Sequence, residues 1–368
     1  MGKMNKVVLA MALAGLYSQA FAIGNEDFSL NGYGYQNYGQ TSANRSEGVD
    51  QRGSLDDNFL GLVASAKINE KSRLWAQLQA NSTEQTRFTW FFVDYKLTDN
   101  VTARAGRAKF PYGLINEYID NRAMQVANTV PLAYSGAADM VYDAYDGAGV
   151  DWRINTGAGD VLAQVYGGNI YNPPAAIGAP LYPNNPPAFS VPPINDRRLI
   201  GGRLTWNTPL SGLRFMVSGN QTQIESTVSQ PTMGQLGKES RAMLSAEYVS
   251  GPITLQSEYN YHDIPALSGF SGVRSDAYYF QGAYALGDWT PFARYDYLNT
   301  DSRFTSDPNF YQKSITVGTN YRLAENLNLR VQDSFNHGAA VPVASQDTAF
   351  GAVKPNWNEF VVGVNFMF

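Results

Sequence analysis

The chain has 368 residues, a formal net charge of −5 and no cysteine. The lack of cysteine excludes disulfide bonds and thiolate metal sites, and the acidic balance argues against a nucleic-acid partner. Hydrophobic residues make up 44% of the sequence and charged residues 16%, so bulk composition alone is that of an ordinary globular protein.

Residues 1–22, MGKMNKVVLAMALAGLYSQAFA, have the organisation of a secretory signal peptide. Lys3 and Lys6 precede an apolar stretch that begins at Val7, and the segment ends in Ala-Phe-Ala. The apolar stretch is shorter than the ~20 residues that a membrane-spanning helix needs. We therefore predict export, removal of this segment and a mature chain that begins at Ile23 and forms a single domain to the C-terminus.

The rest of the sequence alternates with a period of two, in segments of about ten residues. In one segment Leu244, Ala246 and Tyr248 alternate with Ser245 and Glu247. This alternation predicts β-strands, and helical periodicity is nearly absent. About sixteen strands are predicted, at 28–38, 57–68, 73–83, 87–97, 101–109, 145–154, 160–168, 198–207, 212–223, 239–249, 253–262, 276–286, 289–299, 313–323, 327–336 and 358–368.

The connections between these strands alternate in length. Short turns, such as 69–72 and 250–252, follow the even-numbered strands. Longer polar or Pro-rich loops follow the odd-numbered strands, except for a brief link between the third and fourth; they are 39–56, 110–144, 169–197, 224–238, 263–275, 300–312 and 337–357. Short turns at one rim and long loops at the other are typical of an outer-membrane β-barrel with both termini in the periplasm.

Aromatic side chains predict where this barrel meets the membrane interfaces. Rings on the apolar strand faces cluster near the short turns, as at Trp152 and Trp206, and near the long loops, as at Tyr259 and Tyr297. Two such girdles flank the apolar band of a membrane barrel. The last strand, NEFVVGVNFMF, is expected to pair with the first, because hydrocarbon does not tolerate an unpaired strand edge.

A barrel of this width encloses an aqueous channel, because its own side chains cannot fill it. Strand parity predicts that the basic residues Lys67, Arg73, Lys96, Arg104, Arg153, Arg203, Arg214, Arg241, Arg294, Arg322 and Arg330 face the lumen. The acids predicted to face it are Asp94, Asp151, Glu247, Glu258 and Asp296. Arginines on the wall of a pore attract anions, although some are expected to form ion pairs that stiffen the wall.

The connection at 110–144 is long for a compact barrel. Its apolar residues, such as Phe110 and Leu114, predict that it folds into the lumen; an external loop with a solvated charged face is the alternative. Folded inward, it would set carboxylates against the wall arginines and constrict the pore. The predicted pore-lining residues are Arg104, Arg107, Lys109, Glu117, Asp120, Arg122, Asp151, Arg153, Arg203, Arg214, Arg294 and Arg330.

The order of Gly106-Arg107, a long third loop and a strand carrying DGAGVDW resembles the trimeric sixteen-stranded porins of Gram-negative outer membranes. The C-terminal Phe368 is similar to the signal that those barrels present to the outer-membrane barrel assembly machinery. GRAKFPYGL is similar, more loosely, to a segment of the phosphate-selective porin O and P family. The resemblance implies a homotrimer and a third loop that constricts the pore.

We interpret the sequence as a passive outer-membrane diffusion channel for small hydrophilic solutes and ions, with a mild anion preference. The alternatives are a porin selective for one anion, such as phosphate or an organic acid, and a plugged structural, adhesive or enzymatic barrel. His262 and His337 are the only histidines, and neither lies in a pattern typical of a catalytic triad. No catalytic activity, cofactor or metal is predicted. The expected partners are outer-membrane lipid and lipopolysaccharide, the barrel assembly machinery, permeating solutes and further copies of the chain.

Overall fold

Antiparallel strands follow one another around a closed barrel in the order of the chain. The computed structural model describes residues 23–24, 26–46, 49–82, 86–135, 140–141, 143–171, 194–226, 237–265, 272–341, 344–345 and 354–368. Each long strand pairs with the next, and the last pairs with the first. Closure gives every strand a neighbour on both sides, as a hydrocarbon environment requires. The predicted signal peptide and most of the long loop predicted at 169–197 lie outside the described residues.

The sixteen barrel strands are β1 Phe28–Thr41, β2 Asn58–Asn69, β3 Ser72–Ala80, β4 Arg87–Lys96, β5 Val101–Lys109, β6 Ala144–Thr156, β7 Gly159–Tyr171, β8 Ile194–Asn207, β9 Leu213–Ser226, β10 Gly237–Ser250, β11 Ile253–Ile264, β12 Val273–Tyr284, β13 Trp289–Asn299, β14 Tyr311–Ala324, β15 Leu327–Gly338 and β16 Asn356–Met367. Two-residue strands at Asn44–Arg45 and Ala344–Ser345 pair with each other, and Ile23–Gly24 pairs with β1. Three short 3₁₀ helices, Asn116–Tyr118, Arg122–Met124 and Leu132–Tyr134, follow β5. Among the described residues, no helix is long and apolar enough to cross a bilayer.

The predicted strands are confirmed, with differences at their ends. Several strands continue beyond the prediction at the long-loop rim: β1 ends at Thr41, β8 begins at Ile194 and β9 ends at Ser226. At this rim the outer face leaves hydrocarbon for water, so apolar alternation no longer marks the strand. At β3 the reverse holds, because that strand ends at Ala80 and not at residue 83.

Alternation along each strand separates an outer from an inner surface. Leu244 is 58% exposed whereas its neighbour Met243 is fully buried, since successive side chains point to opposite faces of a sheet. Rings near the rims lie on the outer surface, with Trp152 52% and Tyr259 42% exposed. The outer surface therefore carries the apolar band and aromatic girdles of a membrane barrel, and the inner surface positions the polar side chains.

The seam between β16 and β1 depends on two glycines. The backbones of Gly32 and Phe368 exchange two hydrogen bonds of 2.7 Å. A Cβ atom on Gly32 would lie 2.1 Å from the ring of Phe368, and one on Gly34 would lie 2.7 Å from the ring of Phe366. The last two aromatic rings of the chain therefore lie over a groove that only glycine leaves open, and this packing closes the barrel.

We expect Gly32→Ala to impair barrel formation, because its methyl group must displace the Phe368 ring, an overpacking that costs ~1–3 kcal/mol. Refolding yield into detergent or vesicles, read from the heat-dependent shift in gel mobility, measures the effect. Gly157→Ala is the matched control, since a Cβ there meets no atom within 4 Å. Equal yields for the two variants would contradict the packing of the seam.

Candidate constriction site in the barrel lumen

Residues 110–135 lie inside the barrel and cross its lumen. Hydrogen bonds join this third loop to side chains on β3, β8, β9, β11, β13, β14, β15 and β16. The expectation that the loop folds inward is therefore confirmed, and the external alternative is wrong. Because its partners surround the lumen, the loop narrows the channel at this level from several sides.

Apolar packing drives the loop against one side of the wall. Phe110, Tyr112, Leu114, Ile115 and Tyr134 of the loop are all at most 5% exposed. They pack in one cluster with wall side chains that include Tyr166, Met216, Met243, Tyr279 and Leu298. Removing such large side chains from water supplies the main driving force for the loop to enter the barrel.

Arg330 on β15 holds the middle of the loop. Its guanidinium donates to the carbonyl oxygens of Arg122, at 3.0 Å, and Gln125, at 2.7 Å. It also donates to the side-chain oxygens of Asn320 and Asn128. The side chain is 2% exposed, so its donors serve the loop backbone and a passing solute cannot reach them.

Arg294 and Asp296 on β13 hold the next part of the loop. The guanidinium of Arg294 donates to the carbonyl oxygen of Thr129 at 2.8 Å and to Asp296 at 2.7 Å. Asp296 in turn accepts a hydrogen bond from the backbone N–H of Leu132 at 3.0 Å. The pair is almost fully buried. Each charge is compensated by the other and by hydrogen bonds to the loop.

Arg203 on β8 holds the start of the loop. It donates to the carbonyl oxygen of Gly113 at 3.1 Å and to the carboxylate of Glu117 at 2.5 Å. Gln164 on β7 accepts a third hydrogen bond from it at 2.8 Å. Arg203, Arg294 and Arg330 were all predicted to face the pore, and the structure places each of them in a hydrogen-bonded clamp between wall and loop.

Two polar residues on β11 anchor the loop as well. Glu258, 2% exposed, accepts a hydrogen bond from the backbone N–H of Leu114 at 2.7 Å. Asn260 accepts one from the Tyr112 hydroxyl at 2.6 Å and donates to the carbonyl oxygen of Ala133 at 2.7 Å. Strand parity predicts that Glu258 faces the lumen, but it identifies neither residue as an anchor, because parity alone does not show which wall residues a loop will meet.

Lys109 at the end of β5 lies between two carboxylates of the loop. Its ammonium contacts Asp120 at 2.6 Å and also contacts Asp143. Burial acts to raise the pKa of Asp120, but the charge and hydrogen bond of Lys109, with a hydrogen bond from Gln77, outweigh it and leave this pKa below its usual value. Asp143 has a raised pKa, because partial desolvation in the cluster and the charge of Asp120 outweigh the ammonium group of Lys109. The cluster therefore has one firmly ionised carboxylate and one that is protonated more readily.

Other predicted residues form ion pairs on the wall. Arg104 contacts Asp94 at 2.9 Å and Asp151 at 3.9 Å, and its guanidinium lies 4.2 Å from the centre of the Phe92 ring. Arg214 contacts Glu247 at 2.5 Å. These side chains remain 11–34% exposed, so they face water on either side of the loop instead of being sealed beneath it.

Arg107, Arg122 and Arg153 differ from one another in their surroundings. Arg107 lies in the wall where backbone pairing of β4 with β5 ends, and it donates to the carbonyl oxygen of Thr89 at 2.9 Å and to Asp146 at 2.8 Å. Arg122 lies on the loop, 5.6 Å from the centre of the Tyr35 ring. Arg153 is exposed and forms no ion pair within the described part of the chain.

Water reaches the loop along residues 117–124. Met124 is 57% exposed, the carboxylate side chain of Glu117 is 35% exposed and that of Asp120 is 20% exposed. Ile115 before this strip and Ala127 after it are at most 5% exposed. The strip contains the one exposed residue of the loop among those described, Met124, and a permeating solute can touch it there.

Sequence comparison identifies the family to which this barrel belongs. The profile of the family described as phosphate-selective porin O and P matches residues 32–179 and 203–338, which is more than half of the chain. The chain belongs to this porin family. It is an outer-membrane diffusion channel of the porin type. A search of curated proteins finds no match.

Solved porins share the fold at low sequence identity. OmpT of Vibrio cholerae is 12% identical with a TM-score of 0.58, and the match covers 95% of this chain and 100% of that one. The anion-selective porin from Comamonas acidovorans is 14% identical with a TM-score of 0.60, covering 93% and 99%. OmpF of Salmonella typhi, in complex with daunomycin, is 14% identical with a TM-score of 0.54, covering 95% and 100%.

We expect Arg330→Met to loosen the third loop, because it leaves the buried carbonyl oxygens of residues 122 and 125 without their donor. Each such group costs ~1–3 kcal/mol, so the thermal midpoint should fall and open-channel current noise should rise in planar bilayers. Arg322→Met is the matched control, since Arg322 contacts Asp288 at an exposed turn far from the loop. Unchanged noise in the Arg330 variant would show that this clamp does not hold the loop.

Acidification is expected to shift ion selectivity through Asp143. Because its pKa is raised, Asp143 gains a proton at a higher pH than an ordinary aspartate, whereas Asp120 stays ionised there. Loss of one negative charge should raise the anion-to-cation permeability ratio by less than about tenfold as the pH falls through this range. Asp143→Asn should abolish the pH step, and the control Asp288→Asn should retain it. A step that persists without the Asp143 carboxylate would assign it to another group.

Proposed function

We propose that the channel passes small hydrophilic solutes and ions passively, without catalysis, and with a weak preference for anions. The observation that carries this proposal is the water-accessible strip at residues 117–124 of the loop that crosses the lumen. A strip of this kind gives solutes a narrow polar route past the loop. The shared fold of an anion-selective porin from Comamonas acidovorans supports the same reading.

The preference is weak because ion pairs neutralise most charges around the loop. Arg203 faces Glu117, Arg294 faces Asp296, and Lys109 faces two aspartates. Paired charges attract a passing ion much less than isolated ones do. The arrangement therefore favours a sieve for small solutes over a tight site for a single anion.

The preference is for anions because the guanidinium of Arg330 is not matched by a carboxylate. It is held by uncharged oxygens, from backbone and asparagine groups. Arg122 adds a second positive charge to the same part of the loop, with its guanidinium 5.6 Å from the centre of the Tyr35 ring. Positive charges at the level of the loop raise the local concentration of anions.

Reversal potentials in a salt gradient test this proposal. The anion-to-cation permeability ratio of the wild type should exceed one, and Arg122→Gln should lower it on the order of two- to fivefold, the effect of one nearby charge in water. Arg52→Gln on an external loop, where the guanidinium side chain is 84% exposed, is the control and should leave the ratio unchanged. Cation selectivity of the wild type would overturn the anion preference.

The same recordings separate the alternatives. Block of chloride current by inorganic phosphate or an organic acid at low concentration would indicate a channel selective for that anion. Absence of steady conductance would indicate a plugged barrel. Deletion of residues 114–122 should raise conductance and relax size exclusion while the barrel still assembles, and unchanged conductance would mean that the loop does not limit passage.

We also propose how the chain reaches and occupies the membrane. Residues 1–22 serve as a signal peptide, and Phe368 presents the last strand to the barrel assembly machinery. The mature barrels associate as a homotrimer in contact with outer-membrane lipid and lipopolysaccharide. A trimer form of OmpT of Vibrio cholerae, which shares the fold with a TM-score of 0.57, supports this arrangement.

A further inference from the structure

Three large aromatic side chains of β3 and β4 lie on the inner face of the barrel. Trp75 on β3 is opposite Ser65, which is 2% exposed, whereas its neighbour Leu74 is 39% exposed on the outer surface. Phe92 on β4 is the strand partner of Trp75, and the rings of Trp90 and Phe92 stack with their centres 5.5 Å apart. Trp75, Trp90 and Phe92 therefore form one aromatic surface inside the barrel.

A β-bulge turns Trp90 toward the lumen. Residues two apart on a regular strand point to the same side, yet Phe88 is 60% exposed on the outer surface and Trp90 lies on the inner face. The pairing of β3 with β4 shifts between Gln77 and Leu78, which leaves Thr89 as the extra residue. Bulges that re-aim a side chain are common next to functional sites.

The aromatic surface meets water. Trp75, Trp90 and Phe92 are each only partly buried. The apolar side chains of the third loop pack mainly against β7 to β13, across the lumen, and so leave much of β3 and β4 uncovered. Large apolar surfaces that stay in contact with water are costly, and a contiguous one with a polar border is typical of a binding site.

The aromatic surface begins beside the water-accessible strip of the third loop. Gln77, the strand partner of Trp90, donates a hydrogen bond to Asp120 of the strip at 3.3 Å. From there the surface continues to Phe92 and Trp75, which lie about 7 Å farther along the strands, toward the short turns. A solute that passes the strip therefore meets the rings.

Charged groups of both signs border the rings. The guanidinium of Arg104 lies 4.2 Å from the centre of the Phe92 ring. It contacts the carboxylate of Asp94 at 2.9 Å and that of Asp151 at 3.9 Å. All three charged side chains are 21–29% exposed. The border thus offers hydrogen-bond donors and acceptors to a solute that lies on the rings.

We propose that Trp75, Trp90 and Phe92, with Arg104 and its two carboxylates, bind the sugar ring of a permeating carbohydrate. The inference rests on the proposed passage of small hydrophilic solutes and names one class among them. It adds to the sieving by the third loop a weak binding site on the periplasmic side of the loop.

The chemistry of the site suits a neutral sugar. One face of a pyranose ring consists of C–H groups, which pack against the negative face of an aromatic ring. Its hydroxyl groups both donate and accept hydrogen bonds, so they can use a guanidinium and two carboxylates side by side. An organic acid would instead be repelled by the carboxylates next to Arg104.

Block of the ion current by sugar tests the proposal. Glucose added to planar bilayers should reduce the wild-type current saturably, whereas sorbitol, an acyclic polyol of similar size, should reduce it only as a bulk solute does. This comparison needs no variant. No saturable effect of glucose, or equal effects of glucose and sorbitol, would overturn the proposal.

Variants then assign the site. Trp75→Leu and Trp90→Leu should each weaken glucose block on the order of two- to tenfold, the effect of one aromatic contact, because leucine keeps an apolar side chain and removes the ring. Trp90→Phe should restore most of the block. Trp152→Leu is the control, since Trp152 is 52% exposed on the outer surface. Heat-dependent gel mobility shows which variants fold, and wild-type block in both folded leucine variants would overturn the assignment.

Failure of this proposal is distinguishable from failure of the channel function. Wild-type barrels that conduct salt but do not distinguish glucose from sorbitol would overturn the sugar site alone. Barrels without steady conductance would overturn the channel function. Saturation-transfer NMR on barrels in detergent then tests the site by itself: C–H protons of glucose should receive saturation from the wild type and less from Trp75→Leu, and equal transfer to sorbitol would overturn the site.

Discussion

Hydrocarbon offers a polypeptide backbone no hydrogen-bond partner, and closure of the barrel follows from that constraint. A sheet of sixteen strands closes only if its last strand pairs with its first, and here Gly32 and Gly34 make room for the final rings at that seam. A barrel of this width leaves a lumen that its own side chains cannot fill. The same constraint that closes the wall therefore creates the space into which the third loop folds.

The loop and the wall arginines satisfy each other inside that space. Backbone carbonyl oxygens of a loop that is buried in the barrel need hydrogen-bond donors. The N–H groups of a buried guanidinium need hydrogen-bond acceptors. Arg330 meets the carbonyl oxygens of residues 122 and 125, and Arg294 meets that of Thr129. Arg294 is thus chiefly structural, because Asp296 neutralises its charge, whereas Arg330, held by uncharged oxygens, leaves a positive charge beside the loop.

Period-two alternation predicted the strands, and it predicted that the side chains of Arg203, Arg294 and Arg330 face the lumen. Both predictions depend only on the residues next to each position in the sequence. The apolar side chains of Phe110 and Leu114 predicted that the loop folds inward. The clamps themselves could not be predicted, since Arg330 and the carbonyl group of Arg122 are distant in sequence and meet only through the path of the loop. Strand ends such as Thr41 were missed for a different reason: at the rim both faces meet water and the alternation disappears.

Asp333 breaks the alternation that the rest of β15 obeys. Leu329, Val331 and Phe335 follow the rule for a lipid-facing strand, and a local exception of this kind marks a functional position more often than a random one. Inside the barrel, buried charges such as Arg294 and Asp296 find their counterparts within the same chain. For Asp333, whose Oδ1 atom has no hydrogen-bond partner among the described residues, the same rule makes a position on the outer face costly.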